Sequence, residues 1–315
     1  MNDSRKFNRY LIWVSLVVLI QLGAVQLKAA KQDKADKGAQ TMTPTKAAKP
    51  DASQYVGAET CKGCHEAQFT NVEATPHYKT TFAKGRGEDW HGCESCHGPG
   101  AAHVEGGGDK TKIFTFKDVK PNEVTERCMT CHETNVEHAT FNRSVHNKNG
   151  VSCLSCHSAH KAKEQQYLLN EKQPGLCYSC HNEQKAEFTK PFRHRVNEGL
   201  VSCSDCHNVH GGSTSKQLRT TASQEAVCFK CHADKKGPFV FEHEPIKTEG
   251  CSICHTPHGS TNPRLLSRAR VNSLCLECHG NIPAGPHPQN TKSQACILCH
   301  SNIHGSNTSN IFFKN

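Results

Sequence analysis

The stretch Cys203-Ser204-Asp205-Cys206-His207-Asn208-Val209-His210 contains a C-x-x-C-H motif and, three residues after it, a second histidine. Two thiols at this spacing can bond to the two vinyl groups of one porphyrin, and the histidine directly after them can bind its iron. The motif occurs ten times and accounts for all 20 cysteines of the chain. The sequence therefore predicts ten covalently attached c-type haems.

The predicted attachment residues have the same roles in every motif. The thioether-forming cysteines are Cys61, Cys64, Cys93, Cys96, Cys128, Cys131, Cys153, Cys156, Cys177, Cys180, Cys203, Cys206, Cys228, Cys231, Cys251, Cys254, Cys275, Cys278, Cys296 and Cys299. The predicted proximal iron ligands directly follow the second cysteines, at His65, His97, His132, His157, His181, His207, His232, His255, His279 and His300.

Paired cysteines have two other common uses. A cysteine-rich exported chain can carry a disulfide framework, but pairing within C-x-x-C closes small loops and joins nothing distant. Pairs of C-x-x-C units can also build four-cysteine zinc sites, and zinc is the alternative that cysteine spacing alone leaves open. Neither use requires a histidine directly after the second cysteine, whereas all ten motifs have one. The pattern therefore favours haem attachment.

The N-terminal 54 residues predict export and a linker. Residues 1–30 begin with basic side chains and continue with the apolar run from Leu11 to Leu27, as in a secretory signal peptide. Lys28 lies where a small residue is wanted for cleavage, so a retained N-terminal membrane anchor is the alternative. Residues 31–54 are rich in Lys and Ala with little to bury, and they predict a disordered tether.

Residues 55–307 form a repetitive array and predict one decahaem domain, followed by a C-terminal tail at 308–315. Successive motifs start 32, 35, 25, 24, 26, 25, 23, 24 and 21 residues apart. Odd-numbered motifs follow short helix-prone polar segments, whereas even-numbered motifs mostly follow a glycine, at Gly92, Gly150, Gly199 and Gly250. Several even motifs are followed by His-Gly, at 210–211, 258–259 and 304–305. The domain thus consists of five two-haem modules, whose first cysteines are Cys61 and Cys93, Cys128 and Cys153, Cys177 and Cys203, Cys228 and Cys251, and Cys275 and Cys296.

Composition predicts the fold class. Aromatic residues make up 6% of the chain and hydrophobic residues, cysteines included, 35%, which is too little to enclose a conventional core in each short module. We expect the porphyrins to form the core and the apoprotein to remain unfolded. The predicted fold is a multihaem cytochrome c that is mostly irregular, with short α-helices, little or no β-structure and an elongated haem array.

The formal net charge of +9 does not indicate a nucleic-acid partner. Each ferric haem brings about two propionates and about one positive charge on its core, so ten haems add about −10. Many lysines and arginines are therefore expected to pair with propionates.

Twelve histidines lie outside the motifs, and ten of them recur in register. One follows each even motif and one lies 12 to 18 residues after the first cysteine of each odd motif. These predicted distal ligands are His77, His103, His146, His160, His194, His210, His243, His258, His287 and His304. The remaining two, His91 and His138, are predicted to be surface residues.

The ligand count favours electron transfer over chemistry at iron. The chain has three methionines, so methionine is excluded as a general sixth ligand, and bis-histidine ligation implies low-potential haems. Ten distal candidates for ten irons require no open coordination position. We therefore predict no catalytic residues.

Several long runs resemble the periplasmic decahaem c-type cytochromes of the MtrA/DmsE type. These runs extend from Cys228 to Pro238, from Glu242 to Pro245, from Cys251 to Ser260 and from Cys296 to Asn307. The resemblance covers most of residues 55–306. It implies bis-histidine haems arranged as a wire inside an outer-membrane β-barrel partner.

The resemblance also implies the redox partners. These would be a periplasmic or inner-membrane electron donor and an extracellular multihaem cytochrome or other surface redox partner, with the chain in the periplasm and associated with the outer membrane. Such wires serve extracellular respiration and metal reduction, or metal oxidation in reverse. The alternatives are a diffusible periplasmic carrier that feeds a reductase and, in another class, a multihaem reductase with one open iron.

Overall fold

The computed structural model describes residues 51–83, 91–219, 224–282, 287 and 291–313. The predicted signal segment, most of the predicted tether and the last two residues of the predicted tail lie outside these residues. The described residues belong to one unit that begins at Asp51.

Short helices are the regular structure of the described residues. The α-helices are α1 (Ala58–Glu73), α2 (Pro76–Thr81), α3 (Glu94–His97), α4 (Ala101–Glu105), α5 (Pro121–His132), α6 (Val145–Lys148), α7 (Gly175–Tyr178), α8 (Asn182–Glu187), α9 (Cys203–Cys206), α10 (Glu244–Thr248) and α11 (Val271–Leu276). The 3₁₀ helices are Ala52–Gln54, Lys110–Lys112, Phe141–Arg143, Cys153–Ser155, Gln166–Leu168, Gln224–Lys230, Ala233–Lys235, Cys251–Ile253, Pro263–Leu265, Thr291–Ser293 and Cys296–Leu298.

β-Structure in the described ranges consists of isolated bridges without a sheet. The bridges are His157–Leu169, Glu164–Leu169, Phe192–Ser260, His207–Leu218, Phe241–Ser306 and His255–Leu266. The predicted class, a multihaem cytochrome c with short helices and little or no β-structure, is confirmed.

Odd motifs lie on helices that end at or near the motif histidine. Helix α5 begins with a proline in its first turn, buries Val124, Thr125 and Met129, and ends at His132. Helix α1 is broken at His65, whose φ of −119° and ψ of 43° are not helical. The motif histidine thus lies where a helix stops or breaks.

Four of the five even motifs follow a glycine, as predicted, and each of these glycines has a left-handed backbone. The φ values are 59° at Gly92, 73° at Gly150, 75° at Gly199 and 85° at Gly250. A side chain at Gly92 would be strained by this φ, and its Cβ would lie 3.0 Å from the Ala58 Cβ. The turn therefore lets the second motif of a module return against the first.

The apolar core is sparse. The buried apolar residues among those described are Phe69, Val124, Met129, Phe141, Leu168, Phe188, Val196 and Val227. Among the described residues, none of the helices combines the length and apolar character that a membrane crossing requires.

Candidate haem-binding sites

The thiols of neighbouring motifs lie near one another within the modules. A hydrogen bond between the first cysteines, Cys61 and Cys93, raises the pKa of Cys61. The same arrangement joins Cys128 to Cys153 and Cys177 to Cys203. In the last module, burial and then the thiol of Cys296 raise the pKa of Cys275 to about 11.

Across module boundaries, the second cysteines are the neighbours. Burial and, after it, the Cys131 thiol raise the pKa of Cys96. Thiol neighbours also contribute, after burial, to the raised pKa values at the next three boundaries, where the pairs are Cys156–Cys180, Cys206–Cys231 and Cys254–Cys278. None of the 20 cysteines, all of which lie in described residues, forms a disulfide. Eight of the nine steps between successive motifs thus have neighbouring attachment thiols.

Every motif histidine faces one of the ten predicted distal histidines. The ring centroids are 6.0 to 6.3 Å apart in the pairs His65–His103, His97–His160, His132–His77, His157–His210, His181–His146, His207–His258, His232–His194, His255–His304, His279–His243 and His300–His287. Two metal–imidazole bonds of about 2 Å, together with the half-widths of two rings, add up to about 6 Å. The separation therefore fits one iron between the two rings of each pair.

The pairing crosses module boundaries in both directions. At each boundary one histidine reaches forward to the odd motif of the next module, namely His77, His146, His194 and His243. Another reaches back to the even motif of the preceding module, namely His160, His210, His258 and His304. At the two ends of the array, His103 and His287 face motifs of their own modules. Adjacent modules thus complete each other's sites.

Backbone contacts support two of these crossings directly. His146 Nδ1 donates to the Val209 carbonyl at 2.9 Å, and Val209 directly precedes His210. In the same way, His194 Nδ1 donates to the Pro257 carbonyl at 2.6 Å, directly before His258. The histidine that crosses forward is therefore bonded to the segment that crosses back.

The His-Gly pairs also have a steric explanation. A Cβ at Gly259 would lie 2.1 Å from the Glu187 carbonyl oxygen, one at Gly211 would lie 2.8 Å from the Thr140 carbonyl oxygen, and one at Gly305 would overlap the Phe239 ring. Each glycine lets the segment that crosses back approach the preceding module closely.

The even motif histidines are oriented by backbone carbonyls. Nδ1 of His157 donates to Tyr167 at 2.7 Å, and Nδ1 of His207 and His255 donates to Lys216 and Arg264 at 2.8 Å. His97 and His300 donate in the same way, to the carbonyls of Phe114 and Ile311. Such a hydrogen bond leaves Nε2 free for a metal and sets the orientation of the ring.

Three of these carbonyls belong to tight return segments. Their left-handed residues include Tyr167 (φ 63°), Gln217 (φ 51°) and Arg264 (φ 60°). The bridges from His157, His207 and His255 to Leu169, Leu218 and Leu266 hold the segments against the motifs. Sequence reasoning missed these segments, although a leucine follows each of the three motif histidines after about a dozen residues.

Burial favours the neutral imidazole at several distal positions. Desolvation is the largest cause that lowers the pKa of His77, His160, His243 and His304, and it lowers that of His210 to about 4. The neutral ring is the form that binds a metal.

His138 is not the surface residue that the sequence predicted. Its ring centroid lies 4.5 Å from that of His210 and 5.3 Å from that of His132. Nδ1 of His138 is buried without a hydrogen-bond partner, as is Nδ1 of His210. The ring therefore lies between two candidate iron ligands. The sequence could not indicate this position, because His138 does not recur at an equivalent place in other modules.

His91 is half-buried as well, against the same prediction. Its ring stacks on Tyr55 at 3.7 Å between centroids, and its backbone N–H donates to Ser95 Oγ. Nearby, the buried carboxylate of Glu94 accepts hydrogen bonds from the backbone N–H groups of Val56, Gly57 and Gly100. Sequence reasoning missed Glu94, which ties the start of the domain to its second motif.

Comparison with known proteins identifies the family of the chain. A family model described as "Doubled CXXCH motif" matches residues 145–186, 194–237 and 243–284, and one described as "Cytochrome c554 and c-prime" matches residues 104–158. The multiheme cytochrome MtrA of Shewanella baltica is 34% identical over 233 residues, which cover 68% of each chain. The chain belongs to the MtrA-type multihaem c-type cytochromes.

More distant relatives are longer proteins. The C-type polyheme cytochrome OmcB of Geobacter sulfurreducens is 26% identical over 84% of this chain but 32% of its own length. OmcC of the same organism is 25% identical over 88% of this chain and 42% of its own length. As an MtrA-type cytochrome, the chain carries multiple covalent c-type haems on its C-x-x-C-H motifs, and its family transfers electrons.

Proposed function

We propose that this MtrA-type cytochrome binds ten haems, each between two histidines, and conducts electrons between the periplasm and the cell exterior through an outer-membrane β-barrel partner. The observation that carries the proposal is the set of ten opposed histidine pairs. Every motif histidine has a partner ring at the distance that one iron requires.

The order of the attachment thiols supports a continuous path. A thioether-bearing haem edge lies where its cysteines lie, so neighbouring thiols bring neighbouring haem edges together. The contacts alternate between first cysteines within a module, such as Cys61 and Cys93, and second cysteines between modules, such as Cys96 and Cys131. At eight of the nine steps between successive motifs the contacts follow the order of the sequence, as a path from the first motif to the last requires.

The histidine pairing also favours a conduit over a reductase. A substrate that reacts at iron needs an open coordination position, and two imidazoles leave none. The histidines that cross module boundaries also favour a conduit, because a neighbouring module completes eight of the ten sites. Opening one iron would disturb the boundary between two modules.

Location and partners are supported by the likeness to MtrA. A periplasmic position associated with the outer membrane agrees with the predicted export signal, and the described helices contain no membrane crossing. A barrel would supply the sheath across the membrane. A periplasmic or inner-membrane donor and an extracellular multihaem cytochrome would complete the path.

A haemochrome assay tests the number of haems. We expect ten haems per chain in the matured protein, because every cysteine lies in an intact motif. A ratio clearly below ten would contradict the proposed count, and zinc in the remaining motifs would revive the alternative use of the cysteines.

Reconstitution tests the conduit. Liposomes that contain the haem-loaded cytochrome and its barrel partner should oxidise an enclosed reductant when an impermeant acceptor is added outside. Liposomes with the barrel alone are the control. A double substitution, Cys203→Ala with Cys206→Ala, should abolish the transfer by removing one haem from the middle of the path. If the complete assembly left the reductant untouched even with the surface cytochrome added, the diffusible carrier would be the better description.

A further inference from the structure

One histidine pair is supported differently from the others. Nδ1 of His207 donates to the Lys216 carbonyl, and Nδ1 of His258 donates to the Glu187 carboxylate, at 2.8 Å in each case. Seven other paired histidines donate Nδ1 to a backbone carbonyl, namely His97, His103, His146, His157, His194, His255 and His300. Among these nine histidines, His258 has a carboxylate rather than a backbone carbonyl as its acceptor, which distinguishes the His207–His258 pair.

The backbone builds this contact. Glu187 is the last residue of helix α8, which begins directly after the motif histidine His181. The segment from His258 to Ser260 lies against it, because Phe192 N–H donates to the Ser260 carbonyl and Ser260 N–H donates to the Phe192 carbonyl. The 2.1 Å that would separate a Cβ at Gly259 from the Glu187 carbonyl oxygen shows how close the two backbones are. The carboxylate therefore reaches the imidazole from a fixed helix end.

A carboxylate on Nδ1 changes what the imidazole does at its other nitrogen. It pulls the Nδ1 proton, which makes Nε2 a stronger donor to a metal. A stronger donor stabilises ferric over ferrous iron and lowers the reduction potential of the haem. The carbonyl on His207 acts in the same direction on the opposite face of the same iron.

We propose that Glu187 is a positioning residue that makes the haem between His207 and His258 the lowest-potential haem of the array. This rests on the bis-histidine ligation proposed above. The motif of His207 is the sixth of ten, so the low-potential step lies in the middle of the path. Electrons crossing in either direction then pass the lowest-potential haem inside the array rather than at either end.

The test compares Glu187→Gln with Glu183→Gln in the haem-loaded protein. Glutamine keeps the length of the side chain and can still accept a hydrogen bond, but it lacks the negative charge. Glu183 lies on the same helix and is exposed, so its substitution is the matched control. In a spectroelectrochemical titration, we expect Glu187→Gln to raise the potential of the lowest tenth of the haem absorbance, while Glu183→Gln leaves the titration unchanged.

Other results separate the two levels of the proposal. An unchanged titration of Glu187→Gln, with every haem still low-spin, would overturn the role of Glu187 and leave the ligation intact. Substitution of the ligand itself, His258→Ala, should convert one haem to the high-spin form in the same preparation. If His258→Ala left every haem low-spin, the assignment of His258 as a ligand would fail, and the proposed ligation with it.

Discussion

The odd and even halves of each module hold their motif histidines in different ways. The five odd motif histidines are exposed, and in the described residues no hydrogen bond reaches their ring nitrogens; they are His65, His132, His181, His232 and His279. The five even ones are half-buried, and each donates Nδ1 to a backbone carbonyl; they are His97, His157, His207, His255 and His300. The two-haem repeat is therefore a chemical alternation as well as a spacing.

Local structure produces this difference. An odd motif lies on a helix, whose own hydrogen bonds consume its backbone groups and leave the histidine at the end. Four of the five even motifs follow a left-handed glycine, and in all five a later loop offers a carbonyl oxygen to the motif histidine. The even ring is thus oriented by the polypeptide, whereas the odd ring depends on the haem and on the opposite histidine, which crosses from the neighbouring module at four of the five odd sites.

Removing a distal histidine should have the largest effect, because it should change the spin state of one haem. The comparison needs one variant at an odd site and one at an even site. His243 and His304 cross the same module boundary, towards the odd site of His279 and the even site of His255. Either substitution by alanine should make one haem in ten high-spin and able to bind carbon monoxide. The even site should give one sharp high-spin species because Arg264 still holds His255, whereas the odd site should give a mixture.

Electron paramagnetic resonance and visible spectra of the two variants check this expectation. The unmodified protein should show low-spin haem alone. Equal sharpness of the two high-spin signals would contradict the idea that only the even ring is oriented by the backbone, and a methionine-type signal in the unmodified protein would contradict the bis-histidine assignment.

A methyl group at Gly259 should have the next largest effect. Its Cβ would lie 2.1 Å from the Glu187 carbonyl oxygen, so Gly259→Ala must push apart two segments that hold the boundary between modules. Overpacking of this kind costs about 1–3 kcal/mol. Gly280→Ala is the control, because nothing lies within 4 Å of a Cβ at that position after an odd motif.

Chemical denaturation of the haem-loaded variants measures the difference. We expect a clear loss of stability for Gly259→Ala and little change for Gly280→Ala. Equal stability of both variants would show that the back-crossing segment relaxes freely, which the close packing of the boundary argues against.

A smaller effect is expected in the return segment of the fourth module. Arg264 has a φ of 60° and supplies the carbonyl that holds His255. A β-branched residue is strained in this region by about 1–3 kcal/mol, so Arg264→Val should destabilise the even site. Arg270→Val is the control, since Arg270 has an extended backbone (φ −111°, ψ 127°) that valine accepts readily.

Thermal unfolding followed at the haem absorbance separates these two variants. Arg264→Val should lower the midpoint and Arg270→Val should leave it nearly unchanged. A lower unfolding midpoint for Arg270→Val alone would contradict this expectation. It would mean that stability depends on the backbone before the odd motif at Cys275 rather than on the return segment of the even motif.

Sequence patterns were sufficient for the parts of the molecule that repeat. The glycine before four of the even motifs, the helices around odd motifs and, in the described residues, the lack of a sheet each follow from local chemistry, and the structure agrees with them. The ten distal candidates could be predicted because they recur in register. The sequence could not predict which motif histidine each candidate faces, because each crossing histidine faces a motif in another module and this depends on tertiary packing.

Residues that occur once were the ones that sequence reasoning missed. Glu187 is one of 29 acidic residues, and the adjacent sequence does not indicate its hydrogen bond to a histidine 71 positions later. Glu94 accepts backbone hydrogen bonds from residues up to 38 positions away. Long-range contacts of single polar groups leave no period in the sequence.

The smallest effect should come from His138, which tests how far the even sites depend on their surroundings. The His210 ring faces the even motif histidine His157, and its Nδ1 is buried without a partner. The neighbouring His138 ring also has an unpartnered Nδ1, so a slight rotation would let one ring donate to the other and satisfy both.

His138→Phe keeps an aromatic ring but removes this acceptor. We expect every haem to stay low-spin while a single haem shifts in potential and in its resonance signal. His91→Phe is the matched control, because the His91 ring stacks on Tyr55 and is in ring contact with none of the described ligand pairs, so both measurements should stay unchanged. If His138→Phe instead produced a high-spin haem, His138 would itself be a ligand, and the assignment of His77 or His210 would have to give way.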